Sequence, residues 1–555
     1  MNTVTLRPWQ RAAFDLFRTS DGPDFLAVAT PGAGKTTFAL ACARLQLAEW
    51  AAAGDRRKLV VVAPTSHLKI QWSLAAHRLG LQLDPDWAPD RGIARDVHGI
   101  VTTYQQVAMG VASEKLRGLA NDGMVILDEI HHAGHEKAWG DGVRNAFATA
   151  ARRLSLSGTP FRSDSARIPF VRYDVTAEGD LAHSDYTYGY AEALRDGGVV
   201  RPVYFPRVDG EMEWSTPSGD VLRANFSDEL ASNQVSARLR TALSLDGDWL
   251  GTVLGQAHDR LQLIRREQPE AGGLIIAIDQ DHAQGIARLL RNRLNTTADV
   301  VVSDDPGASA RIAEFATNDR PWLVAVRMVS EGVDIPRLRV GVYATTTSTE
   351  LFFRQAVGRF VRWTPGVRDQ KAYLFIPDDP RLRARAFQIA DQRRHSLRKR
   401  TQERFERDPA ALDTGNEEQM SLFAALSAVA TEQATHTPFE SADNVDDDHD
   451  LDLDDDPSLV MNLAPPPPLA NETGDRRFVD DARNALGDEK TRSEEKKRLR
   501  EKNAELVALL VKRSGQSHAQ VNAELNRLSG VGRISEATVG QLQKRLDVAV
   551  KLAKT

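Results

Sequence analysis

Two glycines, a lysine and three hydroxyl side chains stand together in Ala29-Thr30-Pro31-Gly32-Ala33-Gly34-Lys35-Thr36-Thr37. Residues of these types at this spacing suit a polyphosphate. Glycines let the backbone from Pro31 to Thr37 turn its amides inward around phosphate oxygens. Lys35 supplies a point charge for the β and γ phosphates, and Thr36 offers its hydroxyl to Mg²⁺. An apolar run, Phe25-Ala29, precedes the loop and a helical stretch, Phe38-Leu47, follows it. That context argues against the plainer alternative of an ordinary glycine-rich turn. Ala29 stands where the general phosphate-loop pattern has glycine.

A metal held against ATP needs a carboxylate from the end of a neighbouring strand. Met124-Val125-Ile126-Leu127-Asp128-Glu129-Ile130-His131-His132 offers one. Asp128 is placed to hold Mg²⁺ through its water shell, and Glu129 to orient or deprotonate the attacking water. His131 and His135, one helical turn apart, could instead suggest zinc. The helical zinc-protease pattern requires Glu directly after the first histidine, however, and His132 stands there.

These groups need a scaffold, and the hydrophobic pattern predicts one. Short β-branched runs alternate with longer helical stretches: Phe25-Ala29, Leu59-Ala63, Gly99-Thr103, Met124-Leu127 and Arg153-Leu156. A second series follows with Val199-Phe205, Gly273-Ile278, Asp299-Val302, Trp322-Val326, Arg339-Tyr343 and Ala372-Ile376. This is the rhythm of parallel sheets with crossover helices, and two α/β domains in tandem are expected, at 1–180 and 181–400. Arg381-Arg400 reads as a basic helix, and 401–434 as a helical extension. The composition then changes, with a strongly acidic Asp443-Asp456 and a proline run, Pro465-Pro468. A segment so poor in apolar residues is expected to be a flexible linker over 435–475. Helical periodicity returns in a small module at 476–555.

At 555 residues the chain is too long for one hydrophobic core, and its 41% apolar and 27% charged content is ordinary for globular protein. No apolar run is long enough to cross a bilayer, and Met1-Asn2-Thr3-Val4-Thr5 lacks a signal-peptide pattern, so a cytoplasmic location is expected. The single cysteine, Cys42, excludes a disulfide framework and a cysteine-rich zinc site, and reads as a small core residue. The net charge of -6 hides a local imbalance. Removing the ten acidic residues between Glu440 and Asp456 from the total of 77 leaves 67 against 71 basic. The remainder is compatible with binding a polyanion.

Taken together and in order, these motifs resemble the superfamily 2 helicases across about the first 400 residues. Leu6-Arg7-Pro8-Trp9-Gln10 is similar to the adenine-reading motif that precedes the phosphate loop, which implicates Arg7 and Gln10 in nucleotide binding. The Ala-x-x-Gly-x-Gly-Lys-Thr form of the loop is that family's usual one, which accounts for Ala29. Ala63-Pro64-Thr65-Ser66 and Thr102-Thr103-Tyr104-Gln105 resemble motifs that touch the sugar-phosphate backbone, through Thr65, Thr102, Thr103 and Tyr104. Asp128-Glu129-Ile130-His131 resembles the DExH motif, and Ser157-Gly158-Thr159-Pro160 the motif coupling hydrolysis to lobe movement. That assigns coupling to His131, Ser157 and Thr159. Val329-Pro336, with Gly332 and Asp334, and Gln355-Arg362, with Gln355, Arg359 and Arg362, resemble the motifs that complete the ATP site. Charge developing on the γ-phosphate needs a cation from outside the phosphate loop, and guanidinium suits it. Arg359 and Arg362, read as three apart on a helix, could face one cleft.

Within that superfamily the chain looks most like the branch of XPB-, RadD- and UvsW-type helicases and the motor subunits of type I and type III restriction enzymes. The resemblance implies an ATP- and Mg²⁺-dependent DNA helicase or duplex translocase. The alternatives are an RNA helicase with the same core, or an adaptor that binds ATP as a switch, although the latter could dispense with Glu129 and the arginines. Two features stand outside the motor. Gln419-Met420-Ser421-Leu422-Phe423 resembles the pentapeptide by which bacterial proteins dock on the sliding clamp, through Gln419, Leu422 and Phe423, and a packed helix is the plainer reading. In the C-terminal module, Lys512, Arg513, Arg527, Arg533, Lys544 and Arg545 could contact nucleic acid or lie on solvated helix faces.

Overall fold

The alternating pattern resolves into two parallel sheets. The structure, a computed structural model, describes residues 3–90, 92–134, 137–158, 162–163, 167–176, 179–215, 221–302, 307–326, 335–364, 366–367, 370–407, 459–469 and 492–554. Thr159, Gly332, Asp334, His135, the clamp-like segment with Gln419, Leu422 and Phe423, and the acidic run Asp443-Asp456 lie outside the described residues. Among the described residues, no helix is long and apolar enough to cross a membrane.

The chain forms two compact units. The first comprises Met1–Val28, Gly34–Thr187 and Pro457–Thr555, and the second Ala29–Ala33 and Tyr188–Asp456. In the first, the strands run Tyr186–Tyr188, Asp24–Ala29, Arg152–Ser157, Met124–Leu127, Leu59–Ala63, Gly99–Thr103 and Leu83–Asp84 across the sheet. From Asp24–Ala29 outward the pairing is parallel. Leu59–Ala63 and Gly99–Thr103 are buried along their whole length, as strands covered on both faces must be. In the second unit the order is Val203–Tyr204, Ala372–Pro377, Leu338–Tyr343, Gly272–Ala277, Trp322–Val326 and Ala298–Val301. Cys42 is buried within the helix Lys35–Ala52, and burial pushes its thiol well above the ordinary value, so it is an inert core residue.

Part of the segment expected to be a flexible linker over 435–475 is ordered. Leu459–Asn462 pairs antiparallel with Thr3–Leu6, the strand that leads into Arg7 and Gln10. The proline-rich continuation lies on the same unit. Arg44, itself buried, donates Nε to the Ala464 carbonyl at 2.8 Å and Nη1 to the Leu79 carbonyl at 3.1 Å. His98 accepts from the Gln82 amide through Nδ1, so its Nε2 carries the proton and donates to the Pro467 carbonyl at 2.9 Å. The reason lies in the chemistry of proline. A proline run has carbonyls but no N–H groups to satisfy, its backbone is restricted before it binds, and two buried donors meet its acceptors. Met461, Leu463 and Leu469 are buried as well, so composition averaged over the acidic segment misses both these side chains and the backbone docking.

The C-terminal helices Arg492–Ser514, His518–Ser529 and Val539–Lys554 likewise belong to the first unit. Their core contains Val507, Leu510, Val521, Leu525 and Ala549. Arg545 is fully buried and donates to Asn503 Oδ1 at 2.8 Å, Asn522 Oδ1 at 2.6 Å and Asn526 Oδ1 at 2.8 Å. This corrects its reading as a nucleic-acid contact: the other five basic residues named with it are exposed, whereas Arg545 closes a core network. Lys496 forms an ion pair with Asp96 of the first lobe, with side chains only 6% and 3% exposed, and Asp96 Oδ2 also accepts from the Val539 amide at 3.1 Å. Asp96→Ala would strand a buried ammonium and an unpaired helix-terminal N–H. Breaking such a pair costs about 3–5 kcal/mol, and the melting midpoint is expected to fall by roughly 10 °C in scanning calorimetry. Replacing both partners, as Asp96→Leu with Lys496→Leu, should recover most of the loss. A midpoint unchanged in the single variant would mean that the pair contributes nothing.

Candidate functional site

The phosphate loop joins the strand Asp24–Ala29 to the helix Lys35–Ala52, whose N-terminal cap is Gly34 at φ +93°. Any other residue there would be strained, and a Cβ would also stand 2.6 Å from Gln10 Nε2. Gln10 is buried against the loop and donates Nε2 to the Gly34 carbonyl at 2.9 Å, while its Oε1 accepts from the Arg7 amide at 2.7 Å. Gln10, on the helix Pro8–Thr19, therefore braces the loop, with its carboxamide held by the Arg7 amide. Pro31, Gly32, Ala33, Lys35, Thr36 and Thr37 follow one another around the turn, with Lys35 to Thr37 in the first turn of the helix.

Asp128 and Glu129 sit where the strand Met124–Leu127 ends. Lys35 Nζ lies 2.8 Å from Glu129 Oε1, and the Gly158 amide donates to Glu129 Oε2 at 2.9 Å. One carboxylate thus joins the phosphate loop to the Ser157-Gly158 segment. Glu129 adopts φ +47°, a left-handed conformation that a non-glycine residue holds only when its surroundings fix it. Burial pushes its carboxyl upward, but the Lys35 ammonium, the neighbouring His131 and the two hydrogen bonds outweigh that and hold it below the ordinary glutamate value. Asp128 moves the other way. Burial and the adjacent Glu129 charge raise it, against the pull of Lys35 and a hydrogen bond from Trp72. The site thus contains an ionised carboxylate directed at the loop lysine, beside a second carboxyl group.

His131 Nδ1 lies 3.3 Å from Ser157 Oγ and 3.6 Å from Glu129 Oε2, so two of the three expected coupling residues meet beside Glu129. Asp128 and the Thr36 hydroxyl are hard oxygen donors. They fit Mg²⁺, which takes few protein ligands and completes its shell with phosphate oxygens and water.

The expected nucleic-acid residues divide. Thr65 is half-buried in extended backbone directly before the helix Ser66–Arg78, and its side chain makes no capping bond. Thr103 is buried and its hydroxyl accepts from the Gln106 amide at 3.2 Å, capping the short helix Tyr104–Ala108. Thr102 and Tyr104 are fully buried, which corrects their reading as contacts to a sugar-phosphate backbone. Thr102 belongs to a strand covered on both faces, and the Tyr104 ring stacks on Trp139 and His132.

In the second unit, Gln355 lies on the helix Glu350–Val357, but Arg359 and Arg362 do not share it. The helix stops at Gly358, and Phe360 is drawn into the core against Gly341. Arg362 lies in an antiparallel bridge opposite Val200. The first part of the phosphate loop, Ala29–Ala33, is counted in this unit, and there a Cβ on Gly32 would lie 3.3 Å from Arg362 Cδ. Sequence reading missed Arg201. Wholly buried, it donates to the carbonyls of Leu338 at 3.2 Å and Pro336 at 2.8 Å and to Thr364 Oγ1 at 3.1 Å, supporting the stretch on which Arg362 lies. Trp72 was missed as well. A lone arginine or tryptophan in a helical or strand pattern gives no signal of such roles.

Residues 3–162 match the family described as type III restriction enzyme, res subunit. The chain is 41% identical to the uncharacterized protein ML1624 of Mycobacterium leprae (strain TN), over 99% of this chain and 94% of that protein. It is 40% identical to the uncharacterized protein Rv2917 of Mycobacterium tuberculosis (strain ATCC 25618 / H37Rv), over 99% of this chain and 92% of the relative. Among solved structures, a fragment of a putative HsdR subunit of a type I restriction enzyme from Vibrio vulnificus YJ016 is similar with a TM-score of 0.48. It shares 17% identity and aligns over 69% of this chain and 65% of that one.

Proposed function

From the premise that the chain belongs to the family of the mycobacterial proteins ML1624 and Rv2917, with a first lobe of the res-subunit type, we propose that it is a nucleic-acid-dependent ATPase that uses hydrolysis to translocate on or open DNA. The observation that carries this reading is the Glu129 carboxylate held between Lys35 Nζ and the Gly158 amide. A phosphate-binding lysine, a carboxylate and the Ser157-Gly158 segment are then parts of one hydrogen-bonded unit, as an ATPase coupled to movement requires.

On this reading Lys35 leaves Glu129 for the β and γ phosphates when ATP enters, and the loop amides take the remaining phosphate oxygens. Freed of its ammonium partner, Glu129 accepts the proton of the attacking water. Thr36 and Asp128 would hold Mg²⁺, which would supply positive charge against the phosphates. Gln355, Arg359 and Arg362, with Gly332 and Asp334, complete the site from the second RecA-like domain. His131, Ser157 and Thr159 relay the change at Glu129, and ATP binding and hydrolysis alternately close and release the two domains. The motif set, shared with repair helicases and restriction-enzyme motors, favours DNA over RNA and a place in repair, replication or recombination.

ATP turnover measured with duplex DNA, single-stranded DNA and RNA at matched salt tests the proposal. DNA is expected to raise the rate more than RNA. Stronger stimulation by RNA would move the assignment to an RNA helicase. Turnover indifferent to all three would leave an ATP-switched adaptor in place of a motor.

A further inference from the structure

The strand Thr3–Leu6 stands apart from the seven-stranded sheet of its unit and pairs with Leu459–Asn462 in a two-stranded sheet of their own. Two strands alone make a marginal sheet, so each depends on the other and on the core beneath. Val4 and Leu6 are buried on the first strand and Met461 on the second. The partner that completes the start of the chain thus comes from beyond the second lobe, in a strap over residues 459–469.

The first strand runs into the candidate nucleotide site without slack. Leu6 ends it, Arg7 caps the next helix and Pro8 opens that helix, so a single residue separates strand from helix. Proline at the first helical position fixes φ, and Gln10 then stands in the first turn with Nε2 donating to the Gly34 carbonyl. A shift of Thr3–Leu6 therefore moves Gln10 against the phosphate loop.

The strap reaches the other side of that loop as well. Arg44 lies on the helix Lys35–Ala52, which carries Lys35 and Thr36, and it donates Nη2 to the Leu463 carbonyl at 3.4 Å beside its Nε bond to Ala464. Arg44 is 3% exposed, and a buried guanidinium that loses its acceptors is costly. One segment thus holds both the strand before Gln10 and the helix that carries Lys35.

We propose that the strap belongs to the framework of the nucleotide site, placing Gln10 through Thr3–Leu6 and Lys35 through Arg44, so that the chain with its strap docked is the form that binds ATP tightly. Met461, Leu463 and Arg44 are its positioning residues. The inference rests on the ATPase reading above and extends nucleotide binding to residues outside the two RecA-like lobes.

Binding that needs a docked strap weakens as the docked fraction falls. The full chain carrying Met461→Ser and Leu463→Ser is expected to bind a fluorescent, non-hydrolysable ATP analogue with Mg²⁺ roughly tenfold more weakly than wild type. Turnover at saturating ATP should stay within about twofold, since uniform binding is what is lost. Arg44→Met removes the helix's hold on the strap without altering the strap, and should weaken binding in the same way. Met461→Leu with Leu463→Met keeps volume and apolarity and should keep the wild-type affinity. Leu116→Ala, in the core on the helix Gly110–Ala120, removes none of the contacts named here; it should lower the melting midpoint and leave ATP affinity unchanged. By linkage, the analogue should also slow hydrogen exchange at the backbone amides of residues 459–463 in wild type. Thermal melts identify a serine variant that fails to fold, in which case Arg44→Met and the exchange measurement decide. Wild-type affinity in the folded serine variant overturns the proposal. So does an equal loss in Leu116→Ala, which would reduce the strap to a general contribution to stability, or exchange that the analogue leaves unchanged. A wild-type chain that binds no ATP analogue would fail at the earlier step, the ATPase reading itself.

Discussion

Lys35→Ala is expected to abolish ATP turnover and weaken ATP binding, whereas Glu129→Gln should bind ATP at least as well as wild type and lose turnover by about 10³-fold, within the range for removing a general base. The asymmetry follows from the 2.8 Å ion pair between the two residues. Without nucleotide, Lys35 is already occupied, and ATP must win the ammonium from a carboxylate held below its ordinary value by that same ammonium. A neutral glutamine competes less well, so the lysine becomes easier to recruit while the base is lost. Removing Lys35 instead takes away the cation for the phosphates and strands the Glu129 charge. Steady-state turnover together with equilibrium binding of a fluorescent ATP analogue separates the two variants. Full turnover in Glu129→Gln would exclude it as the base, and a marked fall in its ATP affinity would mean that the ion pair does not compete with ATP.

Arg362→Ala should lower turnover by about 10³-fold, the low end for loss of an arginine finger, with little change in ATP affinity. Within the second unit Arg362 Cδ lies 3.3 Å from where a Cβ on Gly32 would stand, which puts this side chain next to the phosphate loop. Its backbone is fixed by the bridge to Val200 and by the Arg201 amide donating to the Val361 carbonyl at 2.9 Å. On the proposed reading, a guanidinium held there would meet charge that grows on the transferred phosphoryl group and so act more on the barrier than on binding. Rapid-mixing turnover set beside analogue binding would reveal the split. A variant with wild-type turnover would place this arginine outside the reaction, and one that loses affinity and rate equally would make it a ground-state phosphate ligand.

Much of this was determined by the sequence alone. Strands such as Leu59–Ala63, Gly99–Thr103, Met124–Leu127 and Trp322–Val326 were legible residue by residue, because a parallel strand covered on both faces is a near-continuous run of apolar and β-branched residues. The phosphate loop and the Asp128–Glu129 pair were legible because their chemistry depends on residue types at fixed short spacing. What tertiary structure decided involves partners far apart in the chain or backbone groups that no side-chain pattern records. Trp72 and Tyr104 converge on Asp128 only when three parallel strands lie side by side, so Trp72 gave no signal and Tyr104 read as a contact to nucleic acid, while both side chains are buried inward. Arg359 and Arg362 satisfied a helical spacing, but Phe360 packs against Gly341 and ends the helix before them. The strap Leu459–Leu469 looked like a linker because its hold on the first unit comes from strand pairing with Thr3–Leu6, from a few scattered buried side chains and from carbonyls meeting Arg44 and His98, all partners several hundred positions earlier. Local pattern reports which face of an element is apolar and which groups could react, whereas the pairing of buried donors with acceptors is settled by where the whole chain brings them.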